Sequence, residues 1–347
     1  MTPAQRLPGV DALKGLACVL IVWHHLAFYG PMSDVVHGAA PGLMNWLYSY
    51  GRMAVQVFLV VGGFLAACSL APDGMGGFRQ PLRLILKRYR RLALPLVVAV
   101  LITVVVAALV RPWLQHGSVP GVPSLWQLLA HLFLLQDLVG QEALSAGIWY
   151  VAIDLQLFAM TVLILTLVRS ERHRWVVLAL AAASLLIFNR RAGLDMTGLY
   201  FFGAYALGML AWWASRSERP ARWLLLIASL GAVALLLDFR GRLLVAVAVA
   251  LALVWLQRSP WPARWLQQAW LLRLGQISYS VFLIHFPVCL LVNAVVSHFW
   301  PAQLLANTLG MLTAFGLSLL AGEVLHRCVE SPSARWRSLF KPVLAAR

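Results

Sequence analysis

The feature that most limits what this chain can become is a succession of apolar runs of membrane-spanning length. They lie at about 10–30, 50–70, 92–110, 149–168, 175–189, 197–214, 223–238, 243–257, 276–297 and 303–325, close to the roughly 20 residues that carry a helix across a bilayer. In lipid each backbone N–H and C=O must be satisfied within its own segment, so such runs fold as helices. Hydrophobic residues make up 61% of the chain and charged residues 12%. Soluble domains carry about 25% charged residues, and one soluble core could not hide this much apolar surface. The sequence therefore predicts an all-α fold: a polytopic membrane helix bundle of about ten transmembrane helices, forming a single membrane domain over 1–347. The first run continues past Trp23, His24 and His25, longer and more polar than a cleaved leader, and reads as a retained first helix.

Charge orients the bundle. With the N-terminus in the cytoplasm, alternating sides leave only Arg52, Arg111, Arg190, Arg191, Arg240 and Arg242 outside, out of 28 Lys and Arg. That is the positive-inside bias, and it puts both termini in the cytoplasm. The net charge of +16 then reflects membrane topology rather than a nucleic-acid surface, since no basic face extends beyond the spans. Residues 125–139 (LWQLLAHLFLLQDLV) are apolar but short, and contain His131 and Asp137. Counting them as a span would reverse every later loop, so they are expected to form one short re-entrant or interfacial helix on the outer face, walling a cleft. The four cysteines show no CxxC spacing, so no metal site and no disulfide framework is expected.

Ionisable groups inside a bilayer cost at least ~2.5–3.5 kcal/mol each and need a partner or a purpose. In the first helix Lys14 and His25 are eleven positions apart. At about 100° per residue they share one face, with an axial separation of about 16 Å. A cation there can hold a phosphate or a thioester carbonyl, and a neutral imidazole can accept a proton from a hydroxyl or attack a thioester itself. Equally, Lys14 can snorkel to the interface and His25 can bond a neighbouring carbonyl; His24 faces elsewhere. In the basic run RQPLRLILKRYRRLALP, Arg88 and Arg91 lie one turn apart and can grip one anion, or simply meet anionic lipid. Asp154, inside IWYVAIDLQLF, can orient His25, neutralise Lys14 or an arginine, or form a structural ion pair. His285 is followed by Pro287, which frees a carbonyl at membrane depth, with Tyr279 and Ser280 one to two turns earlier. Glu330 sits among Arg327 and Arg335, where a charge pair is the default. Trp23 and Trp149 stand apart from the interfacial tryptophans.

Taken in order, these segments resemble the acyltransferase-3 family of integral-membrane O-acyltransferases. VDALKGLACVLIVWHH, VQVFLVVGGFL, KRYRRLALP, IWYVAIDLQLF, LGQISYSVFLIHFPV and LHRCVESPSARW each resemble a family motif, and together they cover the chain from Leu7 to about Arg337. The resemblance implies a cytoplasmic acyl donor, acetyl-CoA or another acyl-CoA, used as substrate with no tightly bound cofactor. It implies an acceptor hydroxyl on a surface polysaccharide, a lipid-linked saccharide or another extracytoplasmic glycan, with His25 as the central catalytic residue and Arg88 and Arg91 as donor-binding groups. Lys14 replaces the family's Arg, Asp154 its Glu, Gly62 its Ser, and Ile284 a frequent Trp. The expected site is therefore His25, Lys14 and Asp154 for catalysis, Lys14, Arg88 and Arg91 for the donor, and Trp149, Tyr279, His285 and Glu330 lining the substrate pocket. Expected partners are the acyl-CoA, the glycan or lipid-linked saccharide, the bilayer and a second copy in a homo-oligomer. Intramembrane Lys, His and Asp beside a Pro-interrupted helix also suit a transporter or flippase for a lipid-linked saccharide, or an inactive scaffold of an assembly complex.

Overall fold

The computed structural model describes residues 7–74, 76, 78–168, 172–259 and 264–332. Arg6, Arg169, Arg335, Arg337, Lys341 and Arg347, which contribute to the expected charge bias, lie outside them. The helices are α1 (Pro8–Leu26), α2 (Pro31–Ala39), α3 (Pro41–Tyr50), α4 (Ala54–Leu70), α5 (Pro81–Val110), α6 (Leu125–Leu132), α7 (Trp149–Leu167), α8 (His173–Leu186), α9 (Gly198–Arg216), α10 (Pro220–Leu237), α11 (Gly241–Arg258), α12 (Ala269–Phe299) and α13 (Leu304–Leu325). The protein is a multi-pass membrane helix bundle. Each of the ten predicted segments is helical, and eight of these helices are long and apolar enough to cross a bilayer. The other two are α8, with 14 residues, and α9. The latter is buried from Tyr200 to Ala214, so its Gly, Trp and Tyr content suits contact with other helices rather than lipid. The connection between the first two spans, predicted only as a linker, folds as α2 and α3. Pro31 and Pro41 sit in their first turns, where a missing N–H costs nothing.

The face of the bundle where α1, α5 and α12 begin is called proximal below, and the opposite face distal. Helix α9 packs on α4 backbone to backbone. A Cβ on Gly63 would overlap the Tyr205 carbonyl, and one on Gly208 would overlap the Val60 carbonyl. Small residues permit this approach where no hydrophobic effect draws helices together in lipid. Helices α1 and α12 run in parallel, with Gly275 against the Asp11 carbonyl and Cys18 Sγ donating to Ser278 O. Helix α12 has 31 residues and α1 has 19. It therefore continues about 20 Å beyond the end of α1. The chain leaves α1 through a turn that Asn293 fastens to α12: Met32 N–H donates to Asn293 Oδ1, and Asn293 Nδ2 donates to Tyr29 O. The early end of α1 leaves a space between α12 and its neighbours.

Residues 111–148 re-enter this space from the distal side. Tyr89 Oη donates to the carbonyl of Leu132, the last residue of α6, at 2.8 Å. Tyr89 is 21 positions before the distal end of α5, so that contact lies some 30 Å below it. This is the short re-entrant element that the sequence predicts. Its lowest part turns through Leu134 at φ 59°, a left-handed conformation that costs a β-carbon residue about 1 kcal/mol. Leu134 is buried. His131 ties the descending and ascending limbs: its Nδ1 faces Gln127 O at 2.7 Å, and its Nε2 accepts from Leu144 N–H at 3.1 Å. The chain then enters α7 at Trp149, well inside the bundle.

Candidate active site

Two histidines from helices at opposite ends of the sequence meet where α1 stops. His25 Nδ1 and His285 Nε2 are 2.6 Å apart, and the two rings are almost coplanar, 7° from parallel. His285 Nδ1 lies 2.7 Å from the carbonyl of Phe282. A carbonyl only accepts, so His285 Nδ1 carries the proton and its Nε2 carries a lone pair. His25 must then donate from Nδ1, which leaves Nε2 of His25 with a free lone pair and no protein partner among the described residues. The tautomer is fixed by this chain of bonds. Helix α12 passes through Pro287 without breaking. The carbonyl that Pro287 strands is that of Leu283, and His285 bonds the neighbouring Phe282 carbonyl instead.

His25 lies in the floor of a cavity of about 1110 Å³ that also touches Ile21, Gln56, Trp149, Ile153 and Phe282. Its upper wall comes from the distal loops and includes Arg52, Asp137, Glu142, Asp195, Arg240 and Arg242. Aromatic rings face it from several sides, among them Trp149, which stacks on Phe201 at 5.4 Å. The turn before α7 reaches the imidazole through Gly147, at φ 76°. A Cβ there would collide with the Phe282 ring at 2.8 Å and lie 3.4 Å from His25 Cε1. Gln56 is 8% exposed, lines the cavity and makes no side-chain hydrogen bond among the described residues. A buried primary amide without a partner is costly unless something else binds it. Mixed acids, arginines and amides between flat rings suit a polyhydroxylated ligand. Gln56, Arg52, Arg240 and Arg242 line the cavity but are not among the site residues expected from the sequence. Gln56 carried a signal, being the one polar side chain in VQVFLVVGGFL.

Asp154 does not meet His25 or Lys14. It takes a bidentate pair from Arg88: Nε to Oδ2 at 3.0 Å and Nη2 to Oδ1 at 2.8 Å. Of the roles left open by the sequence, neutralising an arginine is the one this geometry holds. Arg88 also lies over the Phe158 ring, so its fork is occupied by protein groups. The pair sits on the proximal side of the histidines. Gly62 faces Asp154 Oδ1, where a Cβ would lie at 3.7 Å, so the residue that departs from the family's Ser adjoins the one that departs from its Glu.

Lys14, Arg91, Tyr279 and Glu330 lie on the proximal side, outside the cavity, and His285, expected to line the pocket, is instead fully buried behind His25. Lys14 pairs with Asp11 at 3.4 Å and does not contact His25, although the shared helix face was foreseen. Tyr279 Oη donates to Leu92 O at 2.8 Å, bolting α12 to α5. Arg91 is exposed on α5. Glu330 accepts from Ser280 Oγ at 2.7 Å and meets His326 Nδ1 at 2.9 Å. Arg327 turns to Glu323, which also receives Arg273; Arg335, the other arginine expected near Glu330, lies outside the described residues. Trp23 stacks on Phe315 of α13 at 5.3 Å and serves helix packing.

Residues 7–323 match the Acyltransferase domain family. The chain is similar to the protein named Acyltransferase MdmB from Streptomyces mycarofaciens, with 25% identity over 388 aligned positions covering 98% of this chain and 95% of the relative. No solved structure gives a significant match.

Proposed function

Because the chain belongs to the acyltransferase family matched by its residues 7–323, we propose that it moves an acyl group, acetyl in the first instance, from a cytoplasmic acyl-CoA to a hydroxyl of an extracytoplasmic or lipid-linked glycan. The proximal face is then cytoplasmic, as the positive-inside bias argues, and the distal cavity is the acceptor chamber. The observation that carries the reading is His25 in the floor of that chamber, bonded from behind by the buried His285. His25 Nε2 takes the proton of the acceptor hydroxyl as its oxygen attacks the thioester carbonyl. The C–O bond forms, the C–S bond breaks, and the departing sulfur of coenzyme A recovers the proton from His25. His285 accepts the Nδ1–H throughout and holds the ring in the productive tautomer, which makes it a positioning residue.

Gln56, with its partnerless amide beside the imidazole, is suited to hold the thioester carbonyl or a neighbouring hydroxyl. Trp149 and the distal arginines are suited to orient the sugar. The Arg88–Asp154 pair stands on the proximal side of His25, the side from which the donor thioester would arrive.

A rapid-quench experiment with acetyl-labelled acetyl-CoA and a membrane glycan extract tests the reading. Label should pass to a glycan ester in the wild type and stay on coenzyme A in folded His25→Ala. Label trapped on His25 itself would replace direct transfer by a covalent carrier route. Wild-type transfer by His25→Ala would remove the imidazole from the mechanism. A transporter of lipid-linked saccharide would instead move its cargo between leaflets without any acyl-CoA.

A further inference from the structure

A second cavity lies on the proximal face, at the junction of α4, α8, α9 and α10, and has a volume of about 470 Å³. Its charged and aromatic walls are Arg174, Arg216, Trp213, Trp223 and Asp73. Arg174 and Arg216 form no ion pair among the described residues. Arg174 Nη2 donates to the main-chain oxygen of Asp73 at 2.8 Å, so the acid in the wall leaves the guanidinium charge uncompensated. Each arginine instead lies over an indole, Arg174 over Trp213 at 5.9 Å and Arg216 over Trp212 at 5.7 Å. The indoles are themselves anchored: Trp212 Nε1 donates to Pro72 O and Trp213 Nε1 to Ala71 O, both at 3.0 Å. Arg258 holds the floor by donating to Ser215 O and Ser217 O. Gly74 sits at φ 80°, and any Cβ there would overlap the Arg174 guanidinium. The loop is thus shaped to let that guanidinium lie flat on its backbone.

Two arginines that pair with no carboxylate among the described residues, beside the anchored Trp213 indole, make a site for phosphate attached to a flat ring. Its position adds to this. Along α9, Tyr205 is beside Gly62 and Asp154, and Arg216 is eleven residues further on, about 16 Å toward the proximal face. Along α12, Tyr279 and His285 are six residues apart, about 9 Å, which places the histidines on the other side of the Arg88–Asp154 level. The axial part of this separation is within the length of an extended coenzyme A from thioester to nucleotide. Arg88, meanwhile, has its fork filled by Asp154.

We propose that this proximal pocket anchors the adenine nucleotide end of the acyl donor, with Arg174 and Arg216 on its phosphates and the Trp213 and Trp223 rings against its base. The inference rests on the acyl-CoA reading above. It is tested by calorimetry on the full chain in nanodiscs of neutral lipid, with adenosine 3′,5′-bisphosphate, acetyl-CoA and S-acetyl-pantetheine as probes. The bisphosphate should bind and compete with acetyl-CoA. Arg174→Gln and Arg216→Gln should each weaken both nucleotide-bearing probes about tenfold, the loss of one charge-assisted phosphate contact, and leave S-acetyl-pantetheine unchanged. Gly74→Ala should reproduce the Arg174→Gln effect without removing a charge, which separates lost contact from altered folding. Equal bisphosphate affinity in wild type and variants would overturn the site while leaving the donor reading intact. A response of the variants only in discs containing phosphatidylglycerol would assign the pocket to lipid phosphate and overturn it as well. If neither thioester binds the wild type, the donor reading fails and takes this inference with it.

Discussion

At the residue scale, the proposed reaction turns on which nitrogen of His25 is free. The Phe282 carbonyl fixes the His285 proton, and His285 fixes the His25 proton. Removing His25 should lower the rate about 10³-fold, within the usual range for a lost general base. Removing His285 should cost about 10²-fold in kcat with little change in KM, because the imidazole remains but its tautomer is no longer held. The glutamine variant supplies an amide oxygen that can accept the Nδ1–H. Partial recovery in His285→Gln over His285→Ala, measured as initial rates with both proteins equally folded, distinguishes positioning from mere packing. Equal rates for the two would reduce His285 to packing. His25 was legible in the sequence because a histidine in an apolar run demands an explanation. Its partner was not, since 260 positions separate them and spacing along one helix carries no information about the face of another. Asp154 shows the same limit: its need for a partner was evident, and the choice of Arg88 belongs to tertiary packing.

At the scale of elements, the early end of α1 and the re-entrant limb of 111–148 shape the chamber. The re-entrant helix was readable from its length and from the charge balance of later loops. The two helices at 31–50 were not, because amphipathic stretches of nine and ten residues resemble any connecting segment. The Arg88–Asp154 pair couples α5 to α7. Arg88→Met should destabilise the bundle by on the order of 3 kcal/mol, because it leaves a carboxylate that is 6% exposed without a cation. The double variant Arg88→Met with Asp154→Leu should recover most of that loss in a detergent thermal-unfolding assay. Failure to recover would show that the pair does more than neutralise itself. His131 provides a pH signature. Burial lowers its pKa from 6.5, and both ring nitrogens are engaged in the neutral form. Its folded-state pKa lies below the unfolded one, so its contribution is complete above about pH 6.5 and is lost as pH falls toward the folded value. His131→Gln should flatten the acid side of the unfolding midpoint against pH. An unchanged acid limb would show that this histidine is not the group responsible.

At the scale of the whole molecule, the bundle separates two chemistries. Acids, arginines, amides and aromatic rings gather in the distal chamber, arginines beside indoles gather at the proximal pocket, and the histidines stand between them. The account requires donor and acceptor to approach from opposite faces. Sidedness in sealed vesicles tests this most directly, with uniformly inserted protein, acetyl-CoA supplied to the compartment facing the proximal pocket and acceptor glycan confined to the other. The account predicts acetylated glycan in the acceptor compartment and free coenzyme A in the donor compartment, both abolished by His25→Ala. Product formed only when donor and acceptor share one compartment would contradict it.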